Sequence, residues 1–293
     1  MKRKLRRENA LEIGKRLAAD KSNVPFSQSD TNSGLAWIPA HHQSQRLMPN
    51  HFARSSLFSP IRRGPRRIHE NALLVTRADA VLRYSGEQLD EADADVCMQL
   101  LYAASLVPVG HYVKLNRASL LRGMGRCCGK KDYVWLERRL RALCTGTLSL
   151  IVKNPNGQVK LSVGSTIPFS ILQRLETDPT ATLFTFRLDP RWPEVFGNRE
   201  FIRLCWEKRL MIKRGQDMAR ALQRLFATSS DPVQRFSLEW LKAKLQYAGQ
   251  MRDFRAALLR SIQELERVEV LKHGFIGKST RQKDQLTVHI SSG

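Results

Sequence analysis

The sequence predicts an α+β chain in which a basic N-terminal arm precedes two tandem copies of one helix–turn–helix–hairpin unit. Three observations carry that prediction. After residue 70, apolar residues recur at helical spacing and then alternate, in the same order, twice over. Each copy has a matching signature, Gly129-Lys130-Lys131-Asp132-Tyr133 in one and Gly249-Gln250-Met251-Arg252-Asp253-Phe254 in the other, with Arg139 and Arg260 each seven residues beyond the Asp. Residues 1–70, by contrast, lose periodicity beyond Ser22 and are interrupted by Pro25, Pro39, Pro49, Pro60 and Pro65. The expected division is an arm over 1–70, a first domain over 71–200 and a second over 201–293.

In the arm, Leu5, Leu11, Ile13, Leu17 and Ala18 line one side of a short basic helix, after which the composition cannot bury enough apolar surface to offset its ordering entropy. The segment is expected to be flexible, with Leu35-Ala36-Trp37-Ile38 and Ser56-Leu57-Phe58 as apolar islands that dock on a partner or on the folded body. In the first copy, Leu73–Thr76 and Val81–Tyr84 read as strands. Asp90–Ala104 reads as a helix whose acidic first turn suits its dipole. A second helix over Arg117–Met124 ends at glycines. A third, Asp132–Leu143, directs Tyr133, Leu136, Leu140 and Leu143 inward. Leu148, Leu150 and Val152 then alternate, as do Val159, Leu161 and Val163, on either side of Asn154-Pro155-Asn156-Gly157: a hairpin.

The second copy repeats this plan. Ile212–Phe226 is amphipathic, Ser237 is placed to cap the next helix, Gly249 breaks the chain, and Met251–Arg267 buries Phe254, Leu258, Ile262 and Leu265. Val268–Leu271 and Leu286–Ile290 complete a second hairpin. Helix, turn, helix, hairpin is the layout of a winged helix, so the fold expected is two of them in tandem.

Composition narrows the function. The 293 residues include 49 Lys+Arg against 27 Asp+Glu, a formal charge of +22, which points to a polyanionic partner, most commonly nucleic acid. No apolar run approaches the ~18 residues that span a bilayer. No apolar stretch of a signal peptide follows the basic Met1–Arg7, so a cytoplasmic protein with no membrane partner is expected. The five cysteines, with Cys127 and Cys128 adjacent, lack the C-x₂₋₄-C spacing of a zinc site and are expected to be reduced and mostly buried; no metal is expected.

The charge is segregated. Tyr84–Val113 holds five acidic residues and no Lys or Arg, whereas Lys114–Arg141 holds nine Lys and Arg against Asp132 and Glu137. In the first unit this leaves Lys130, Lys131, Arg138, Arg139 and Arg141 on the third helix, and Lys153 and Lys160 on the hairpin, as candidate DNA contacts. In the second unit the candidates are Arg252, Arg255, Arg260 and Gln263 on the helix, with Lys278 and Lys283 on the hairpin. A helix of this kind fits the major groove, where Arg matches guanine and Gln matches adenine, while hairpin lysines suit phosphates.

Fragments that imitate catalytic motifs fail on position. Gly277-Lys278-Ser279-Thr280 lacks the leading glycine of a phosphate loop, since position 272 is Lys272, and only 13 residues follow it. Gly123, Gly125 and Gly129 miss G-x-G-x-x-G by one residue. His51-Phe-Ala-Arg54 matches the H-x-x-R of tyrosine recombinases but lies in the arm, with Tyr247 as the last tyrosine. No catalytic residue and no cofactor is expected.

Met48-Pro49-Asn50, Ala53-Arg54-Ser55, Leu57-Phe58, Leu82–Glu87 and Phe201–Arg209 resemble the TrfA-type plasmid replication initiators, over roughly residues 45–290. The resemblance implies binding of direct repeats (iterons) in double-stranded origin DNA through both winged helices, opening of adjacent AT-rich duplex, and recruitment of the host replicative helicase and initiator proteins. It also implies passage between a homodimer and DNA-binding monomers, with a role in plasmid copy control. One departure is evident: the family's Gln-Leu-Ser-Leu-Phe-like sliding-clamp peptide is missing from Gln28–Leu35, with Ser55-Ser56-Leu57-Phe58 the nearest remnant, so a clamp contact is not carried over. A transcriptional repressor of the same fold, including one acting on its own promoter, is the alternative; a site-specific recombinase is a more distant one.

Overall fold

Residues 45–59 fall within the segment expected to be a flexible arm, yet they are woven into the body. In the computed structural model, which describes residues 36–61, 64–178, 181–197 and 200–291, strand β1 (Gln45–Pro49) pairs antiparallel with a strand at Phe201–Cys205. Helix α1 (Asn50–Arg54) follows, then β2 (Phe58–Ser59). Leu47, Met48, Phe52, Ala53, Leu57 and Phe58 are buried in the first core. The flexible-arm expectation is therefore corrected over this stretch. A strand, a helical turn and another strand, each of two to five residues, are too short to show a period, although their apolar residues are all used. The expected basic helix around Leu5–Ala18 lies outside the described residues.

Beyond β3 (Ile68–Leu73) and β4 (Ala80–Glu87), β5 (Leu89–Asp90) pairs parallel with β2 and leads into helix α2 (Glu91–Ala104). Asp90 caps α2 by accepting from the Ala92 and Asp93 amides, and Asp93 accepts from the Asp90 amide in return. Strand β6 (Val113–Asn116) leads directly into α3 (Arg117–Gly123), and a turn leads to α4 (Lys130–Thr145). Next come β7 (Thr147–Lys153), β8 (Val159–Val163), β9 (Phe169–Ser170), β10 (Leu172–Thr177) and β11 (Leu183–Leu188). Helix α5 (Trp192–Phe196) and β12 (Phe201–Cys205) complete the first core. After α6 (Trp206–Met211), the second winged helix comprises α7 (Asp217–Phe226), β13 (Val233–Ser237), α8 (Leu238–Lys244), α9 (Met251–Arg267), β14 (Leu271–Lys278) and β15 (Asp284–Ile290).

Sheet order identifies the wings and corrects one of them. In the second copy, the strand before α8 lies beside the last strand, giving β13-β15-β14. In the first copy the same arrangement is β6-β11-β10, so its wing is β10–β11. The Thr147–Lys153 hairpin read from sequence as the first wing belongs instead to a separate antiparallel sheet, β3-β4-β7-β8, with β9 also on β7. It is an insertion between recognition helix and wing. Two smaller boundaries also move. The helix expected from Ile212 starts at Asp217, because Gly215 ahead of it takes a left-handed backbone (φ +82°). The strand expected at Val268–Leu271 is β14, starting at Leu271, since Val268–Val270 close α9 with bonds back to its last turn.

Apolar residues form two cores, one from Ile38 to Trp206 and one from Ile212 to Val288, so the boundary placed at residue 200 falls beyond β12. Buried polar bonds join the two winged helices. Arg209 on α6 donates to Glu91 (2.9 Å) and Asp95 (2.8 Å) on α2, and Arg224 on α7 bonds the same Glu91 and the Phe58 carbonyl (2.9 Å). Glu91, Arg209 and Arg224 are at most 1 % exposed. Burial raises the Glu91 carboxyl pKa, but Arg224 and Arg209 outweigh it and hold the carboxyl below its ordinary range. Gln88 to Gln246 (2.7 Å), Trp240 to the Thr76 carbonyl (3.2 Å) and Arg54 to the Thr228 carbonyl (2.6 Å) add further ties. A buried ion network contributes little net stability against its desolvation, but it penalises any arrangement that leaves a partner unpaired. It therefore selects one relative orientation.

Among the described residues no helix is long and apolar enough to cross a membrane. Only Cys97 of the five cysteines is buried, its thiol pushed up to about 12 by that burial; Cys127 and Cys205 are exposed, which corrects the expectation of mostly buried thiols.

Candidate nucleic-acid interface

Both copies build the helix–turn–helix with the same local devices. A strand runs straight into the short second helix, whose first turn is capped by Asn116 in one copy and Ser237 in the other. That helix ends with a residue in the left-handed region, Gly125 (φ +67°) or Gln246 (φ +51°). Each ending is closed by the following amide, Arg126 to the Leu121 carbonyl and Tyr247 to the Lys242 carbonyl. The third helix, α4 or α9, then rests its apolar stripe on the body: Leu136, Leu140 and Leu143 in the first copy, Leu258, Ile262 and Leu265 in the second.

Counted from those stripes, Arg138 is the counterpart of Arg260, and Arg141 the counterpart of Gln263. The sequence pairing of Arg139 with Arg260 is thereby corrected. Arg260 and Gln263 are exposed on α9 and have no bonding partner among the described residues. Arg139 turns inward, its side chain 13 % exposed, and donates to Asp93 (2.8 Å) with Asp90 at 3.0 Å. It ties α4 to the capped start of α2 and is withdrawn from any DNA-facing surface.

The other candidates fall into two groups. Lys130 and Lys131 are exposed at the α4 N-terminus with no ion pair among the described residues. Arg252 is 86 % exposed at the matching end of α9, with Asp253 at 3.3 Å. Lys283 is exposed at the second wing tip. Arg138 and Arg141 are exposed but paired, with Glu87 and with Glu137 (2.8 Å). Arg255 bonds Asp284, as does Lys278 at 3.0 Å. Lys153 is exposed and Lys160 pairs with Glu200 (3.0 Å), but both belong to the inserted hairpin. Their assignment to the first wing is corrected with it.

The first wing itself was missed. Its charged residues are Arg174 and Arg187 against Glu176 and Asp178; Arg174 pairs with Glu176 (3.1 Å) and Arg187 lies over the Tyr112 ring. A period-two signal was present, since Phe184, Phe186 and Leu188 all point inward on β11. Trp135, off the α4 stripe, is held between the Arg126 guanidinium, 3.5 Å from its ring, and Arg139. Of the recombinase-like pair, His51 is 3 % exposed and Arg54 donates to the Thr228 carbonyl. Ser55–Phe58, the nearest clamp-like remnant, is buried throughout.

No family profile matches the chain, and no curated protein matches it in sequence. Solved structures do match. Domains 2–3 of RctB align with a TM-score of 0.55 at 14 % identity, covering 83 % of this chain and 97 % of that one. A selenomethionine derivative of RctB domains 2 and 3 aligns at 0.53, with 14 % identity over 84 % and 99 %. The Pi initiator protein in complex with iteron DNA aligns at 0.54, with 11 % identity over 87 % of this chain and 100 % of that chain. At these identities the likeness concerns the fold: two winged helices in tandem.

Proposed function

We propose that this chain is a replication initiator that binds repeated sites in origin DNA with both winged helices and promotes opening of the neighbouring duplex. The observation that carries this reading is the pair of recognition helices held in one body. Each has an exposed face with cations at its N-terminal end, in a chain whose fold is similar, over 87 % of its length, to that of an initiator captured on iteron DNA. Two such helices in one chain can each enter a major-groove segment of the same duplex. No ordering of one winged helix against the other is then needed on binding, and several molecules on phased repeats store bending and untwisting strain in the adjacent DNA. No step requires a nucleotide or a metal.

Within that class, the Met48–Phe58 motifs support a TrfA-type assignment, and with it recruitment of the host helicase, passage between dimer and monomer, and a part in copy control. Footprinting on an origin fragment tests the reading. An initiator protects several repeats and makes adjacent AT-rich bases permanganate-reactive. Protection of a single palindrome without opening overturns it in favour of a repressor, and strand cleavage or a covalent adduct in favour of a recombinase.

A further inference from the structure

In the second winged helix a single carboxylate joins the recognition helix to the wing. Asp284 is the first residue of β15 and lies in register with Lys278, the last residue of β14. Its two oxygens divide: Oδ1 sits 3.0 Å from the Lys278 ammonium, and Oδ2 accepts from the Arg255 guanidinium one turn into α9. The residues that flank the wing turn of the first copy, Thr177 and Leu183, carry no charge and make no such link.

This arrangement is unfavourable for raw affinity. A carboxylate placed among cations on a DNA-facing surface repels phosphate and cancels part of their attraction. Its return lies in geometry: arginine has many rotamers, and a fork that must meet guanine O6 and N7 gains discrimination when its approach is set in advance. The Lys278 and Arg255 bonds hold the Asp284 carboxyl below its ordinary range, so it remains charged at neutral pH.

We infer that Asp284 is a specificity-determining positioning residue, orienting Arg255 toward one base pair while lowering affinity for DNA in general. The inference rests on the DNA-binding reading above. It is tested by selecting duplexes from a randomised pool with the full chain and with Arg255→Ala, Asp284→Ala, Asp284→Asn and the Arg255→Ala/Asp284→Ala double variant. The selected duplex and a scrambled one are then titrated across salt.

The expected result is that Asp284→Ala and Arg255→Ala lose preference at the same base position, about tenfold each, and that the double variant loses no more. Binding of Asp284→Ala to the scrambled duplex should rise by a few fold at low salt, with the salt slope steeper by about one, because one net positive charge is gained. A loss of structure would not raise affinity, and isosteric Asp284→Asn, which keeps an acceptor for Arg255, should retain part of the preference. Unchanged preference in Asp284→Ala, or equal weakening on both duplexes, overturns the inference alone. If the unmodified chain selects no sequence at all, the DNA-binding reading falls first.

Discussion

In the first winged helix the recognition-helix arginines are bonded to acids: Arg138 to Glu87, Arg139 to Asp90 and Asp93, Arg141 to Glu137. In the second, Arg260 and Gln263 stand exposed without partners among the described residues, and the wing carries Lys272, Lys278, Arg281 and Lys283 against Asp284. The first wing is electrically balanced. Two copies of one topology thus use their charge differently. The first ties α4 to α2 and to the inserted sheet through Arg139 and Arg138, while the second pairs Arg252 and Arg255 locally and leaves Arg260 and Gln263 without partners among the described residues. On the DNA-binding reading proposed above, the first, with Lys130 and Lys131 at the front of its helix, would position along the backbone and the second would read bases.

The largest expected effect concerns what the first copy needs in order to fold. Deleting residues 1–70 removes β1, α1, β2 and the first half of β3, and with them Leu47, Phe52 and Phe58 from the core. The first winged helix should lose cooperative unfolding by circular dichroism, whereas an independent arm would leave it intact.

Breaking the joint comes next. Glu91→Ala leaves Arg224 buried without its carboxylate and should cost roughly 3–5 kcal/mol in denaturant unfolding. A cost below about 1 kcal/mol would show that the two copies are not held by this network.

Lys244 lies on α8, fully buried, with no hydrogen-bond partner for Nζ among the described residues. Burial, and then the Arg224 guanidinium, push its pKa down to about 7. Since the unfolded chain keeps the ordinary lysine value, it binds the extra proton between about pH 7 and 10. Stability should therefore rise with pH over that window, with the full penalty present at and below pH 7. Lys244→Met should raise stability at pH 7 by roughly 1–4 kcal/mol and abolish the rise. A variant that is less stable at pH 7 would mean that the charge is needed at this seam.

A direct contrast uses the misaligned arginines. Arg260→Ala should cost about 1–3 kcal/mol in DNA binding with an unchanged melting temperature. Arg139→Ala should lower the melting temperature while changing the DNA salt dependence little. The reverse pattern would exchange the roles of the two helices. Smallest of all, Arg281→Ala/Lys283→Ala in the second wing should reduce the slope of log affinity against log salt by about two, while Arg174→Ala/Arg187→Ala in the first leaves it nearly flat.

Much of the fold was legible because long helices carry their own periodicity. Met251–Arg267 matches α9 to the residue, and the Ser237 cap lies where the sequence places it, while Asp90, read as the first residue of its helix, is that helix's cap. The inserted hairpin was legible as a hairpin, but its sheet was not, since alternation reports which face of a strand is buried and is silent on the strand it pairs with. Arg139 was misplaced for a related reason. Matching residues from the shared Asp ignored a one-residue change in phase between the two apolar stripes, and one residue on a helix is a rotation of about 100°.

What the sequence by itself determined is the order of helices and strands, their caps, the duplication and the excess of positive charge, all properties of neighbouring residues. Only the tertiary structure decided which cations face outward. Asp90, Glu91, Asp93 and Asp95 lie within one six-residue stretch, yet their partners Arg66, Arg139, Arg209 and Arg224 come from four separate places in the chain. Charge is summed along a sequence, but it is neutralised over a few ångströms, and only folding brings those distances about.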